Sequence, residues 1–514
     1  MASSESISNL TPSKDTRFSE SILHYRNIPY ATVSKRYEKP QQAPFPKSSL
    51  DCTTYGPQCH QIPVDNVHAY FSIPGKDTPA IKYDELKCTN LNVTLPAERT
   101  SKPLPVLVWI HGGAIMQAWP SAQHRLGDPG PLVAQATASG KHIILVTVNF
   151  RLNIFSFGTG EEGTEVNLML YDQLAALKWV KEHISKFGGD PNRITVGGES
   201  AGAICIHALL TMGAKFQRAV LASGSLFTTP PQKDRDGFGL ISLVEGDLQL
   251  IEFDKGNTSG NFTDQATMLG AKPETLLQCI RDLQIGRMWF WNELELGSWR
   301  DVSKAFGGLD GLMIGDCRDE AFYLKHVFTK ISAKQIANCF ATEDGHAIAK
   351  LYQITPDMSD DAARKAALNF IGDARFNAWP THITKTLAAD SASTKTYQYI
   401  YDQGNPWKKD ECAHATDLIS VFGGYDEELA EEDRKVGQAV REKYISFVNG
   451  EEPWSSKEIY GFGPSGSLAE LSDEQVQSRR RMKALETIRE LGVGKVSDLW
   501  LKLYNSAAST LSDE

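Results

Sequence analysis

Phe187-Gly188-Gly189-Asp190-Pro191-Asn192-Arg193-Ile194-Thr195-Val196-Gly197-Gly198-Glu199-Ser200-Ala201-Gly202-Ala203 runs from a helix stop through a strand into a glycine-bounded turn and a new helix. Upstream of it, Leu174, Leu177, Val180, Ile184 and Phe187 recur at spacings of three and four, the stripe of an amphipathic helix, and Gly188-Gly189 ends it. Ile194-Thr195-Val196 is β-branched and apolar, as a strand covered on both faces must be. Beyond Ser200 the run Ala201 to Leu210 is helical. Gly198-Glu199-Ser200-Ala201-Gly202 therefore satisfies G-x-S-x-G at a strand-to-helix turn, the setting that lifts a serine hydroxyl out of the backbone. Glycines flank it because so tight a turn leaves no room for Cβ atoms.

The same alternation extends in both directions. Leu104 to Ile110 and Ile143 to Val148 are almost wholly apolar, with a helical stretch near Pro131 to Ser139 between them. Ala219 to Ala222, Leu312 to Ile314 and Thr396 to Tyr401 are further strand candidates. Strand, helix, strand, helix implies an α/β fold with a mostly parallel, twisted sheet wrapped by helices. Ile22 to Ile28 alternates apolar and polar residues, as an N-terminal antiparallel strand at the sheet's edge would. Residues 1–19 are Ser-, Thr- and charge-rich and are expected to form a flexible tail. Residues 230–300 lose periodicity and are expected to form a large helical insertion or lid over a site. Residues 474–501 are helical and charged. With no repeat and no linker, residues 1–514 are predicted to be a single domain.

Composition removes several classes of function. Lys and Arg number 53 against 63 Asp and Glu, a net charge of −10, so no electrostatic footprint for nucleic acid is present. The longest apolar runs fall well short of the roughly 18 residues that cross a bilayer, which predicts no membrane span. The first residues lack a basic region followed by an apolar one, from which a cytoplasmic location is expected. Eight cysteines include no C-x-x-C pair, and H-E-x-x-H is absent, so no metal and no cofactor is expected. Gly158-Thr159-Gly160-Glu161-Glu162-Gly163 satisfies G-x-G-x-x-G, but two glutamates would face a pyrophosphate, so it is read as an exposed turn.

A serine hydroxyl needs a base, and the base an orienting carboxylate. His414 follows the strand candidate Thr396 to Tyr401 on a loop, and Asp319 and Glu320 follow Leu312 to Ile314 by a short turn. The order serine, acid, histidine is that of α/β-hydrolases. Oxyanion donors are sought at the glycines ending Trp109-Ile110-His111-Gly112-Gly113-Ala114, with the amide of Ala201. Trp119, beside that loop, and the cluster Met288-Trp289-Phe290-Trp291 offer aromatic walls for an apolar acyl or alcohol group.

Taken together these motifs resemble the type-B carboxylesterases of the cholinesterase-like α/β-hydrolase family, most of all the signal-less fungal ones, over roughly residues 20 to 505. Tyr25 to Tyr30 resembles the family's opening motif, Asn149-Phe150-Arg151-Leu152 its core strand end, and Phe187 to Ala203 its nucleophile stretch. Gly315-Asp316-Cys317-Arg318-Asp319-Glu320 resembles its acid motif and Ala413-His414 with Asp417-Leu418 its histidine motif. The resemblance implies a triad of Ser200, Glu320 and His414, oxyanion amides on Gly113, Ala114 and Ala201 with Gly112 adjacent, and a disulfide region at Cys59 and Cys88, paired or reduced according to compartment. Arg151 and Asp172 resemble a structural ion pair. Ala114 and Ala321 stand where glycines are usual.

The implied reaction is hydrolysis of a small-molecule carboxylic ester through an acyl-enzyme on Ser200. Glu199 is placed to position water or a polar substrate group. An acyltransferase, thioesterase or lactone-forming enzyme would share all chemistry up to the acyl-enzyme, so the motifs leave that alternative open. A non-catalytic binding protein on the same fold would be expected to lack a triad member, and here every position is filled.

Overall fold

The computed structural model of the chain describes residues 7–19, 21–62, 67–75, 79–158, 165–232, 244, 246–249, 251, 267–283, 285, 290–291, 296–390 and 393–511. Its centre is a twelve-stranded sheet in the order β14-β13-β12-β11-β10-β9-β7-β8-β6-β2-β1-β5. The strands are β1 (Leu10–Asp15), β2 (Ile22–Pro29), β5 (Leu50–Cys52), β6 (Asn90–Pro96), β7 (Leu104–Ile110), β8 (Ile144–Val148), β9 (Gly189–Glu199), β10 (Arg218–Ala222), β11 (Gly311–Cys317), β12 (Lys395–Tyr401), β13 (Ile459–Phe462) and β14 (Leu468–Leu471). A separate ribbon pairs β3 (Ala31–Thr32) with β4 (Gln41–Gln42). From β13 across to β8 every neighbouring pair is parallel. The N-terminal strands β2 and β6 and the last strand β14 pair antiparallel.

The apolar strands lie where their composition requires. β8 is buried along its whole length and β7 at all but its first residue, because helices cover both faces of the sheet. Helices Leu168–His183 and Ala201–Thr211 pack on one face, where Trp179, Ile204 and Leu209 join one core cluster. Helices Gly130–Ala138 and Glu431–Asn449 cover the other, where Leu132, Val133, Val436 and Val440 join a second. No helix among the described residues is long and apolar enough to cross a membrane.

The expected tail is corrected, one of the two states left open for Cys59 and Cys88 is found, and the expected insertion is described in part. Part of the expected tail, Leu10–Asp15, is a strand: it pairs with β2 antiparallel and with β5 in parallel. Its polar composition suits an edge strand, whose stability comes from ladder hydrogen bonds to partners distant in sequence. Cys59 and Cys88 are buried free thiols rather than a disulfide, and burial with Cys59 alongside pushes the Cys88 thiol well up. The expected insertion at 230–300 is described only in part, chiefly as helix Pro273–Asp282, which buries Leu276, Leu277 and Ile280. Trp289 lies outside the described residues, as does the turn 159–163 beyond Gly158.

Arg151 and Asp172 form the expected ion pair: Arg151 Nη2 donates to Asp172 Oδ1 at 2.7 Å and Nε to Oδ2 at 2.9 Å, with both side chains buried. A further donation from Arg151 Nη1 to the Glu38 carbonyl ties the N-terminal segment to the sheet. Asp172→Ala would leave the guanidinium buried without its counter-charge, a loss expected to cost about 3–5 kcal/mol. Urea unfolding followed by tryptophan fluorescence measures it, and a loss below about 1 kcal/mol would show the pair to be dispensable.

Candidate active site

The candidate residues all stand at the carboxyl ends of parallel strands, where open α/β sheets form their crevice. Ser200 follows β9. Its backbone (φ 55°, ψ −122°) is strained for a residue with a Cβ, and its N–H donates to the Ala222 carbonyl at 2.9 Å. The sharp turn exists because the following helix comes down onto β7: a Cβ on Gly202 would lie 2.1 Å from the Ile110 carbonyl oxygen. Glu320 follows β11 on a short 3-10 turn, and His414 sits on the loop after β12. The two loops are joined by a bridge between Asp319 and Ala413, with the Asp319 N–H donating to the Cys412 carbonyl. Tyr70 Oη donates to the His414 carbonyl at 2.9 Å.

Three side chains from distant parts of the chain thus meet in one line. Ser200 Oγ is 2.7 Å from His414 Nε2, and His414 Nδ1 is 2.5 Å from Glu320 Oε2. The other carboxylate oxygen of Glu320 accepts from Ser223 Oγ at 2.6 Å and from the Cys317 N–H at 2.7 Å. Ser223 follows β10, between the strands that carry Ser200 and Glu320. The sequence reading missed it; a small hydroxyl residue just past a central strand is the only local signal.

The imidazole sits among carboxylates. Glu199 Oε1 lies 3.1 Å from His414 Nε2, and Glu199 is buried with neither oxygen accepting a hydrogen bond. Burial pushes its carboxyl up to about 8. Asp417, buried behind the histidine and accepting from Tyr399 Oη, is pushed up to about 6 by burial and by the Glu320 charge. For His414 burial acts downward, but the charges of Glu199 and Glu320 outweigh it and the net direction is up. Of the other histidines, His326 also lines the cavity below, and several are held elsewhere. His207, for example, is pinned between the Leu226 N–H and the Trp299 carbonyl and is pushed down to about 3 by burial.

The expected oxyanion loop follows β7. Gly113 has φ 101°, and a Cβ there would lie 2.1 Å from the Gln117 carbonyl oxygen, so only glycine fits; Ala114 follows at φ 57°. Among the described residues nothing accepts from the N–H of Gly113 or of Ala114. The Ala201 N–H opens a helix and has no intrahelical partner. Gly112 is paired to Trp119 by the Trp119 N–H donating to its carbonyl. His111 stacks on Phe150 and is held neutral, pushed down to about 4 by burial.

A cavity of about 600 Å³ opens on this assembly, lined by Gly113, Ala114, Glu199, Ser200, Ala201 and His414. Trp119 and Phe290 line it as expected. Trp291 does not: it is buried in the core against Phe157, with its backbone N–H donating to Asn167 Oδ1. A bulky aromatic in a stretch without periodicity serves packing as readily as binding. Tyr323, Arg375 and Phe376 also line the cavity and were not anticipated from sequence. Tyr323 and Phe376 pack on the His414 ring, with centroids 5.6 and 4.7 Å away.

Comparison with known proteins agrees with this architecture. Residues 11–236 match the Carboxylesterase family. Lipase 3 of Yarrowia lipolytica is 27% identical over 502 residues, covering 93% of this chain and 94% of that protein. The para-nitrobenzyl esterase of Bacillus subtilis is 30% identical over 457 residues, covering 84% of this chain and 87% of that protein. A solved PNB esterase structure superposes with a TM-score of 0.70 at 24% identity, covering 93% of this chain and 97% of its own. The relatives range from yeast lipases to mammalian carboxylesterases, so the likeness is to the family as a whole rather than to a fungal or cholinesterase branch. With its mostly parallel sheet, its serine at a strand-to-helix turn and this breadth of similarity, the chain belongs to the carboxylesterase family of α/β-hydrolases.

Proposed function

We propose that the protein is a serine hydrolase of small-molecule carboxylic esters, of the type-B kind, working through an acyl-enzyme on Ser200. The observation that carries this reading is the continuous line from Ser200 Oγ through His414 to Glu320 at hydrogen-bond distances. His414 Nε2 takes the Ser200 proton as Oγ attacks the ester carbonyl, and Glu320 holds the Nδ1–H and stabilises the imidazolium. The N–H groups of Gly113, Ala114 and Ala201 receive the oxyanion. The imidazolium returns its proton to the leaving alcohol. Water then repeats the sequence on the acyl-enzyme and releases the acid.

Glu199 has a place in this cycle. Burial favours the protonated form of this carboxyl, and in that form it can donate to water or to a polar substrate atom beside Ser200. It and His414 stand close enough to share one proton across the working pH range. The aromatic and aliphatic lining favours an ester with an apolar body.

Intact mass after brief exposure to an organophosphonate tests the reading. One adduct is expected on the wild type and none on Ser200→Ala, whose turnover of p-nitrophenyl esters should fall by about 10⁴-fold or more. An adduct elsewhere, or turnover retained in Ser200→Ala, would overturn it. The pH profile gives a second check. His414 must be neutral to act as base, so kcat/KM is lost as pH falls through its folded pKa, which the neighbouring carboxylates hold above the ordinary imidazole value. Glu199→Gln removes the ionised form of the carboxyl that shares a proton with His414, the form whose charge favours the imidazolium, so the acid limb should move to lower pH; an unmoved or raised limb would contradict the sharing.

A further inference from the structure

Arg375 lies on the π-helical turn Asp373–Asn377, which brings it and Phe376 together onto the wall of the cavity. Its Nη1 donates to Tyr323 Oη at 2.5 Å, and its guanidinium lies 5.1 Å from the Phe376 ring centroid and 4.9 Å from that of Trp500. The planar group is therefore held on three sides. Yet among the described residues it makes no ion pair, its Nε is buried without a hydrogen bond, and its Nη2 has no acceptor.

Asp373, Asp319 and Glu320 are committed elsewhere. Asp373, on the same turn, is held by Arg481 at 2.6 Å and by Tyr352 Oη at 2.6 Å. Asp319 is taken by Arg318 and the Cys412 N–H, and Glu320 by Ser223, Cys317 and His414. The one carboxyl lining the cavity among the described residues, Glu199, lies 3.1 Å from His414 Nε2, with burial favouring its protonated form. A half-buried cation facing an apolar cavity without a counter-charge is costly unless the ligand brings one.

Its position tells which part of the ligand. The leaving oxygen takes its proton from His414 Nε2, so the alcohol portion of an ester begins at the imidazole, against which Tyr323 and Phe376 pack. Arg375 bonds the first of these and neighbours the second. We infer that the protein acts on esters whose alcohol portion carries a carboxylate, and that Arg375 binds that carboxylate and selects for it. The inference rests on the serine-esterase reading above and adds to it the substrate class. Fixed by Tyr323 and the two rings, Arg375 presents its free Nη2 at little further cost in side-chain order, and a charge-assisted hydrogen bond in a partly dry site is stronger than one in water.

The test uses the full chain and two ester pairs. The first is 4-butyryloxybenzoate against its neutral methyl ester, which differ in charge on the leaving phenol. The second is monophenyl glutarate against phenyl butyrate, which differ in charge on the acyl chain. In the wild type, kcat/KM for the carboxylate of the first pair should exceed that of its neutral partner by about tenfold or more. The preference should reside in KM, and high salt should weaken it. Arg375→Gln should bring the ratio to about one, with Arg375→Lys between, because a point charge replaces a planar donor. No preference in the wild type would overturn the inference. So would a ratio that survives Arg375→Gln while both esters slow together, the mark of a residue that only packs against Trp500, or an Arg375-dependent preference in the acyl pair alone. Turnover of the neutral esters with a phosphonate adduct on Ser200 would leave the esterase reading standing in those cases. Absence of both adduct and turnover would overturn that reading and the inference with it.

Discussion

The carbonyl oxygen of Ile110, at the end of β7, stands 2.1 Å from where Gly202 would carry a Cβ. That approach of helix to strand end holds much of the site in place. It forces the backbone at Ser200 into a strained turn, so that the hydroxyl projects from the sheet rather than along it. It also brings the helix's first N–H, on Ala201, beside the loop that continues from Ile110 through Gly113 and Ala114. Nucleophile and oxyanion amides are thus positioned by one packing contact. The neighbouring strands, parallel and in register from β9 through β12, then supply Ser223, Glu320 and the His414 loop in turn.

Electrostatics at the site follow from how much of this is buried. Glu199, Glu320 and Asp417 all act on one imidazole, and only Glu320 has a set of donors that stabilises its charge: Ser223, the Cys317 N–H and His414. Lacking such donors, Glu199 rises to about 8. The same burial that would suppress an imidazolium is opposed by the carboxylates around it, so the base remains usable near neutrality. A second carboxylate pair, Asp316 and Asp402, is bound by the buried Arg480 and ties the C-terminal segment to the ends of β11 and β12.

Features legible in the chain were those whose signal is local. The apolar runs of β7 and β8, the stripe from Leu174 to Phe187 and the glycines around Ser200 each report a constraint acting within a few residues. The family motifs around Glu320 and His414 reported the rest of the triad positions by resemblance. Where a property depends on partners far along the chain, the reading failed or was silent. Leu10–Asp15 is too polar to read as a strand until β5 and β2 flank it. Trp291 stood in an aromatic cluster like any pocket wall, and only its packing against Phe157 places it in the core. Arg375 lies in a helical stretch of ordinary composition.

Periodicity, β-branching and glycine placement were therefore sufficient for the α/β architecture and the nucleophile's turn, because backbone sterics and the burial of a helix stripe act over one element at a time. Tertiary structure alone decided that residues 214 positions apart, Ser200 and His414, and 94 apart, Glu320 and His414, come within hydrogen-bond distance. It also decided that Ser223 braces the acid and that, among the described residues, Glu199 is buried without a donor and Arg375 faces the cavity without a counter-ion. Those outcomes depend on desolvation and on which charges are brought together, and both are properties of the packed sheet and its loops rather than of any segment.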